Sequence, residues 1–509
     1  MFEKILMLVV FFAVMLGVGL YTRKSTVSVD GFVLGGRSVG PWLTAFAYGT
    51  SYFSAVVFVG YAGQFGWKYG LASTWIGIGN AIIGSLLAWV VLGRRTRVMS
   101  QKLESKTMPD FFGSRFESKA IKIVSSAIVF IFLVPYTASV YNGLSRLFGM
   151  AFNIPYTACV IIMAGITALY VILGGYMATA INDFIQGIIM LFGIVAVIAA
   201  VLNGQGGFME AIRVMAEIPS DVPVTMGQPG AFTSFFGPDP LNLLGVVILT
   251  SLGTWGLPQM VHKFYAIKNE KAIKTGTVVS TLFAVVISGG CYFLGGFGRL
   301  FDDPAIYGAN GTVVYDSIIP FMLSKLPDIL IGIVVVLVLS ASMSTLSSLV
   351  LTSSSTLTLD FLKETCMKKM DEKKQVRTMQ VLIVFFIVLS VIIALDPPTF
   401  IAQLMGISWG ALAGAFLGPF LFGLYWKGVT KAGVWAGFIT GVGITVSNLF
   451  LKYIASPINA GAVAMVAGLI IVPLVSLVTP KMNRETVDEI FSCYEEKITI
   501  TKKQSLEEK

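Results

Sequence analysis

The feature that most constrains this chain is a series of apolar segments, each long enough to cross a lipid bilayer. About 20 predominantly apolar residues suffice for a membrane-spanning helix. Of the 509 residues, 55% are hydrophobic and 12% charged, whereas soluble domains have roughly a quarter charged. The sequence therefore predicts an all-α polytopic membrane protein with about 13 spans. They lie near 5–22, 42–65, 72–93, 123–145, 154–174, 183–202, 241–261, 276–298, 329–358, 378–395, 398–423, 433–451 and 459–479.

The distribution of Lys and Arg predicts the orientation of these spans. The first span lacks a small-residue cleavage site and is followed by Arg23 and Lys24, which favours a retained helix over a signal peptide. With the N-terminus outside, 29 of the 36 basic residues fall in cytoplasmic connections or the C-terminal tail, and none falls in a span. This satisfies the positive-inside rule and predicts a cell-membrane protein with a cytoplasmic C-terminus. The net charge of +9 then reports topology and does not indicate nucleic-acid binding.

Several chemistries are disfavoured by the residues that the chain lacks. The single histidine, His262, is expected in a loop, and the four cysteines have no metal-ligand spacing. Histidine catalysis and multi-histidine metal sites are therefore not expected. No obligate protein partner is indicated. The tail from residue 480 begins with an amphipathic stretch, which is compatible with a surface helix or with disorder.

Two spans carry polar interruptions that a membrane helix would normally avoid. Residues 47–55 in the second span are mostly small or hydroxyl-bearing, and residues 251–258 in the seventh include two glycines and Pro258. Close helix packing and a simple proline kink are the plain explanations. However, each interrupted span is the first of a group of five spans, 2–6 and 7–11. Paired broken helices of this kind are typical of inverted-repeat transporters, in which they border the binding site.

The ninth span carries a stripe of hydroxyl groups. Ser344, Ser347 and Ser348 share one helix face, and Thr345 adjoins it. Hard oxygens of this kind are the ligands that a small hard cation prefers. Asp183, at the predicted start of the sixth span, is either an acid favoured by a helix N-terminus or the negative charge that completes a cation site beside the serines.

With these features in place, the chain resembles the sodium:solute symporter family over about residues 30–480. The resemblance implies two inverted five-helix repeats with broken first helices, a LeuT-like core. It divides the chain into 1–40 (extra helix and loop), 41–203 and 241–423 (repeats), 204–240 (connection), 424–480 (two helices) and 481–509 (tail). The matching motifs are 32–40 (FVLGGRSVG), 107–112 (TMPDFF), 174–176 (GGY) with Asn182, Asp183 and Gln186, 344–347 (STLS) and 423–426 (GLYW).

The resemblance also implies two sodium sites, with sodium as the coupling ion and two ions per cycle. The first consists of the carbonyls of Thr50, Phe53 and Ala341 and the hydroxyls of Ser344 and Thr345. The second, which only some family members have, consists of Asp183, Ser344, Ser347 and Ser348.

The solute is expected against the broken helices, near Tyr52, Ser54, Tyr136, Thr254 and Trp255. Thr254 stands where the proline and sugar branches have tyrosine, and Tyr52 replaces an aspartate of the proline transporters. No arginine lies in a span, so a carboxylate would be met by hydroxyls, helix N-termini or sodium. These features favour import of a small carboxylate or amino acid, such as pantothenate, proline or a monocarboxylate, over a sugar.

Three other functions remain open from the sequence. A proton-coupled transporter of the same fold would share all the patterns above. A channel could also be built from broken helices. A membrane-embedded enzyme would need clustered carboxylates or a His/Asp pair, for which the sequence offers one buried carboxylate and one loop histidine.

Overall fold

The computed structural model of the chain describes residues 2–22, 28–495 and 498. Over these residues it is helical, with isolated β-bridges and no β-strand. Arg23 and Lys24, used above for topology, lie outside the described residues. The main helices are α1 Phe2–Thr22, α2 Pro41–Tyr52, α3 Ala62–Tyr69, α4 74–102, α5 Lys119–Phe152, α6 156–174, α7 176–204, α8 Pro240–Gly256, α9 Pro258–Tyr265, α10 Glu270–Gly296, α11 Tyr315–Ser324, α12 Asp328–Thr365, α13 Glu372–Leu395, α14 Ile401–Tyr425, α15 Lys431–Leu451, α16 Pro457–Val478 and α17 Arg484–Phe491.

Each predicted span coincides with helical structure. Within the described residues, 10 helices are long and apolar enough to cross a membrane, and the bent pair α8–α9 brings the number to 11. The count is lower than 13 because the stretch Val56–Lys102 counts as one helix although a turn at 70–73 divides it into α3 and α4. In addition, the helix 156–169 is too short to be counted by itself.

Glycine 175 separates α6 from α7 and moves one predicted boundary. Gly175 has φ 53° and ψ −155°, a conformation open to glycine but strained for other residues. Helix α7 therefore begins at residue 176 and not at 183. Asp183 lies two turns inside this helix, so it is not the helix N-terminal acid that its sequence position allowed.

Both predicted helix breaks are present. Helix α2 ends at Tyr52, and Phe53 is extended, with φ −116° and ψ 120°. Helices α8 and α9 meet at a 44° bend, where Leu257 has φ −85° and ψ 122°. The second break has a local cause, because Pro258 disfavours helical geometry in the residue before it. The first break has no proline or glycine next to Phe53, so we attribute it to contacts with other helices.

The helices around the breaks form the core. Helix α12 packs against α5, α6, α7 and α2, while α14 packs against α5, α8, α15 and α16. Helix α2 also contacts α7 and α10. Both broken helices are thus enclosed, and the hydroxyl stripe of α12 faces the first break. The tail begins as helix α17, where Asp488 pairs with Lys427 at 2.6 Å. This part of the tail is the surface helix that the sequence allowed.

Candidate functional site

The hydroxyl stripe of α12 satisfies the backbone groups that the break in α2 leaves without helical partners. The Ser344 hydroxyl lies 3.0 Å from the carbonyl oxygens of both Thr50 and Ala341. The Thr345 hydroxyl lies 3.3 Å from the Ser51 carbonyl and 3.2 Å from that of Ala341. Since an unpaired peptide group is costly inside a membrane, these contacts explain why α2 can end here. These five residues form the first cluster, which is buried and uncharged.

Hydrogen bonds on the far side of the break allow the helix to resume. The Ala55 N–H, on the far side of the break, donates to the Ser342 hydroxyl at 3.2 Å. Ser54 accepts a 3.2 Å hydrogen bond from the Val56 N–H and so helps the helix resume. Phe53 lies in the extended segment, next to the first cluster in the chain. Of the residues predicted for the first sodium site, Thr50, Ala341, Ser344 and Thr345 are therefore linked by hydrogen bonds, and Phe53 follows Ser51 by two residues in the chain.

The predicted second site contains a lysine that the sequence analysis placed elsewhere. Lys263 was assigned to a cytoplasmic connection, but its side chain is 2% exposed and lies on α9 inside the bundle. Its Nζ is 3.6 Å from Asp183 Oδ2 and donates to the Ser348 hydroxyl at 2.9 Å. Asp183, Lys263 and Ser348 form the second cluster. The seventh span was predicted to end at residue 261, but α9 continues to Tyr265, so the sequence analysis missed that Lys263 is a buried basic residue.

Serine 51 connects the two clusters. Its hydroxyl lies 2.8 Å from the Ser348 hydroxyl, while its carbonyl faces Thr345 in the first cluster. Ser347, predicted as a ligand of the second site, instead donates to the Ser344 carbonyl of its own helix at 2.9 Å. The structure therefore brings Asp183 and Ser348 together through Lys263, and leaves Ser347 on the edge of this group.

Part of the predicted solute site forms an aromatic group around a residue that the sequence analysis did not select. The Trp409 ring of α14 lies 6.2 Å from the Tyr52 ring and 5.9 Å from the Tyr136 ring. A Cβ added at Gly253 would lie 2.6 Å from Trp409 Cε3, so this indole packs directly on the second broken helix. Within the described part of the chain, the buried Trp409 Nε1 has no hydrogen-bond partner. A tryptophan among small residues in the eleventh span was the available sequence signal.

The remaining predicted solute residues connect the broken helices to α4. Trp255 donates through Nε1 to the Ile83 carbonyl at 2.9 Å, and the Thr254 hydroxyl lies 3.1 Å from the Gly84 carbonyl. The Tyr52 hydroxyl donates to the Thr250 carbonyl at 2.5 Å, a direct bond between the two broken helices. Tyr52 and Tyr136 thus share one aromatic group, whereas Trp255 points toward α4.

Asp183 is not the only buried carboxylate, contrary to the sequence analysis. Asp316, on α11 in a connection assigned to the outside, accepts from the Ile401 N–H at 3.2 Å and lies 4.0 Å from Arg146 Nε. Burial raises the pKa of Asp316 to about 6, although Arg146 opposes this shift. Asp360, in the last turns of α12, lies 3.7 Å from Lys122. Both acids were missed because they lie beyond the predicted spans.

Comparison with known proteins agrees with this architecture. The model of the sodium:solute symporter family matches residues 32–441. A sodium/proline symporter of Staphylococcus aureus is 30% identical, over 95% of this chain and 93% of that protein.

Two solved structures show the same fold. The first is described as the substrate-bound, outward-open state of a Na⁺-coupled sialic acid symporter with a novel Na⁺ site. It is 16% identical, covers 95% of this chain and 99% of its own, and has a TM-score of 0.77. The second, a nucleobase-cation-symport-1 family transporter in a closed conformation, is 14% identical, covers 91% of this chain and 98% of its own, and has a TM-score of 0.53. These matches confirm the expected LeuT-like fold.

The family assignment rests on the extent of these matches. The family model spans most of the chain, and the curated relative covers nearly all of it. The chain therefore belongs to the sodium:solute symporter family, a family of membrane transporters rather than enzymes, in which sodium is the coupling ion.

Proposed function

We propose that this protein imports a small organic carboxylate or amino acid by alternating access, driven by two sodium ions per cycle. The first cluster carries this proposal, because it places hydroxyls and freed carbonyls together at a helix break in the core. The relatives support the solute class: one is a sodium/proline symporter and another a Na⁺-coupled sialic acid symporter. Proline is an amino acid, and sialic acid carries a carboxylate.

The first sodium is bound by neutral oxygens. We assign it to the carbonyls of Thr50, Phe53 and Ala341 and the hydroxyls of Ser344 and Thr345. Oxygen ligands of this kind suit a hard cation. The Ser344 hydroxyl already lies 3.0 Å from two of these carbonyls, so the ligands need only small shifts to converge on an ion. Binding would connect α2 to α12 across the break.

The second sodium is assigned to Asp183, Ser344, Ser347 and Ser348. A second ion increases the free energy available to accumulate the solute. Each ion moved through 100 mV contributes about 2.3 kcal/mol, and a tenfold sodium gradient adds about 1.4 kcal/mol. Two ions thus supply about 7 kcal/mol, enough for roughly 10⁵-fold accumulation of a neutral solute.

The solute is assigned to the region around Tyr52, Ser54 and Tyr136, with Thr254 and Trp255 on the side that contacts α4. The aromatic side chains here carry no formal charge, so a carboxylate would be bound by neutral donors or by sodium. Trp409 Nε1, buried and without a partner among the described residues, is a donor suited to a solute oxygen. Trp409 contacts Tyr52 of the first broken helix and Gly253 of the second, so a solute bound beside it would lie close to both.

The assignment of the segments to the two sides of the membrane is supported by the ion pairs, and the positive-inside rule places the N-terminus outside. Lys4 pairs with Asp328 at 2.8 Å, and both lie in segments assigned to the outside. Lys106 pairs with Asp30 at 2.9 Å, and both lie in segments assigned to the cytoplasm. Segments assigned to the same side therefore meet at the same end of the bundle.

Reconstitution of the full-length protein into proteoliposomes tests this function. An inward sodium gradient should drive accumulation of a labelled carboxylate or amino acid above its external concentration. A channel would only equilibrate the solute, and an enzyme would alter it. Uptake that persists when choline replaces sodium under an inward proton gradient would establish proton coupling and contradict the proposal.

The second sodium has its own test in the same vesicles. Asp183→Asn keeps the size of the side chain and removes its charge. It is expected to lower the sodium Hill coefficient toward one and to weaken accumulation, because one ion no longer contributes its share of the driving force. An unchanged Hill coefficient and unchanged accumulation would show that Asp183 binds no coupling ion.

A further inference from the structure

Lysine 263 places a positive charge at the position proposed for the second sodium. We propose that the Lys263 ammonium and a sodium ion alternate as the cation of Asp183, so that the protein carries its own competitor for this site. This inference rests on the second sodium site of the proposed function. It adds a residue of α9 that the assignment of the site to α7 and α12 does not include.

The geometry gives Lys263 and the ion the same partners. Lys263 Nζ lies 3.6 Å from Asp183 Oδ2 and donates to Ser348 at 2.9 Å. Both residues are proposed sodium ligands. Neither Asp183 oxygen accepts a hydrogen bond from the described residues, so the ion pair with Lys263 is the main polar contact of this carboxylate. The ammonium also lies 5.2 Å from the centre of the Tyr176 ring, which adds a cation–π contact.

Charge balance makes the two cations exclusive. One carboxylate neutralises one monovalent cation, and Asp183 and Lys263 are 0% and 2% exposed. Sodium together with the ammonium would leave an uncompensated positive charge in the bundle interior, which is strongly unfavourable. The next cation, Arg37, does not assist, since its guanidinium donates to the Tyr265 and Ser105 carbonyls. Sodium can therefore bind Asp183 only when the Lys263 ammonium leaves the buried site, so that a single positive charge stays beside the carboxylate.

The exchange also connects the ion to the second broken helix. Lys263 lies on α9, which follows the 44° bend of the second broken helix, whereas Asp183 lies on α7. While Lys263 holds Asp183, α9 and α7 are joined by a buried ion pair. Sodium at Asp183 removes that connection, so occupation of the second site frees the second half of the broken helix.

Sodium binding by the purified full-length protein tests the exchange without any transported solute. Thermal unfolding is measured against sodium chloride, with choline chloride keeping the ionic strength constant. A ligand of the folded state stabilises by RT ln(1 + [L]/Kd). Lys263→Met keeps an apolar stem of similar length and removes the charge. We expect it to bind sodium at least about fivefold more tightly than the wild type, the lower range for coupled sites.

Three control variants make the result specific. Lys268→Met is the same substitution at an exposed position just after α9 and should match the wild type. Lys263→Arg retains a cation and should not bind sodium more tightly. Combining Lys263→Met with Asp183→Asn should remove the gain, because the carboxylate for which both cations compete is absent.

The outcomes separate this inference from the proposed function. If sodium stabilises the wild type and Asp183→Asn weakens that effect, but Lys263→Met binds sodium as the wild type does, the exchange is wrong and the second site stands. If sodium stabilises neither the wild type nor Lys263→Met, the proposed sodium sites themselves are wrong. Tighter binding by Lys263→Met that persists with Asp183→Asn would show that the charge acts elsewhere, which also overturns the exchange.

Discussion

The two clusters on α12 are neighbours but are built in opposite ways. The first contains no charged group and depends on backbone carbonyls that the break in α2 exposes to Ser344 and Thr345. The second depends on one carboxylate, Asp183, which already has a cation in Lys263. A site made of neutral oxygens gains a charge when sodium binds, whereas the second site exchanges one positive charge for another. Selectivity for sodium should therefore come mainly from the first cluster, and coupling to helix movement from the second.

Serine 344 offers the sharpest way to test this division, because it belongs to the first cluster and is a proposed ligand of both sodium ions. Its hydroxyl lies against the Thr50 and Ala341 carbonyls, and its own carbonyl accepts from the Ser347 and Ser348 hydroxyls. Ser344→Ala removes a proposed ligand of both sodium ions, and one contact of hydrogen-bond strength to a charged group contributes about 1.5–3 kcal/mol. We expect the sodium concentration for half-maximal uptake to rise about 100-fold, since each tenfold change is about 1.4 kcal/mol.

Ser340→Ala is the matched control for this prediction. Ser340 is also buried, lies one turn away on α12, and its hydroxyl has no partner among the described residues. The same substitution there should leave sodium dependence close to that of the wild type. If both alanine variants lost uptake equally, the loss would reflect general packing of α12 and the distinction between the clusters would fail.

The two clusters also differ in how far the sequence could predict them. The hydroxyl residues of the first cluster are visible as helix periodicity, and a break in α2 was expected from its small and hydroxyl residues. The cause of that break was not visible, because it lies in contacts between Ser344, Thr345 and a helix almost 300 residues away. Leu257, by contrast, precedes Pro258 and marks its break locally.

The location of buried charged residues was the least predictable feature from the sequence. Lys263 lies in a short helix with Gln259 and His262, which reads as the end of a span, so it was counted as a cytoplasmic residue. In the structure this helix follows the 44° bend at Leu257, and its Lys263 lies buried 3.6 Å from Asp183, a contact that the sequence does not show. Trp409 was missed for a related reason: its role depends on contacts with Tyr52 and Gly253 from other helices.

Serines 347 and 348 test the second cluster with a smaller effect. Ser348 contacts both Lys263 and Ser51, whereas Ser347 donates only to a carbonyl of its own helix. Ser348→Ala should therefore raise the sodium concentration for half-maximal uptake several-fold, about 1 kcal/mol for one hydrogen bond. Ser347→Ala, the same change on the next residue, should have a smaller effect. Titration of sodium-dependent uptake measures both, and a larger effect of Ser347→Ala would place the second ion away from Lys263.

Asp316 is a buried acid outside the membrane-spanning helices, and it extends the comparison with Asp183. Its expected effect, a pH dependence of the docking of α11, is the smallest of those predicted here. It accepts from the Ile401 N–H and faces Arg146, and burial raises its pKa to about 6. When α11 detaches, the solvated carboxylate returns to its ordinary pKa of 3.8, so the docked form binds the proton more tightly.

The sign of the pH dependence follows directly from that raised pKa. Docking of α11 is most favourable at low pH, loses stability as pH rises toward 6, and stays at the lower level above it. Amide exchange protection of 315–324, corrected for intrinsic rates, should fall about tenfold between pH 5 and 7. Asp316→Asn should abolish this slope, while Asp328→Asn, a mostly exposed acid at the same end, should keep it. A slope that survives Asp316→Asn would mean that α11 responds to another group. In that case Asp316 would have no role in the docking of α11, and the comparison of buried acids would rest on Asp183 and its ion pair with Lys263.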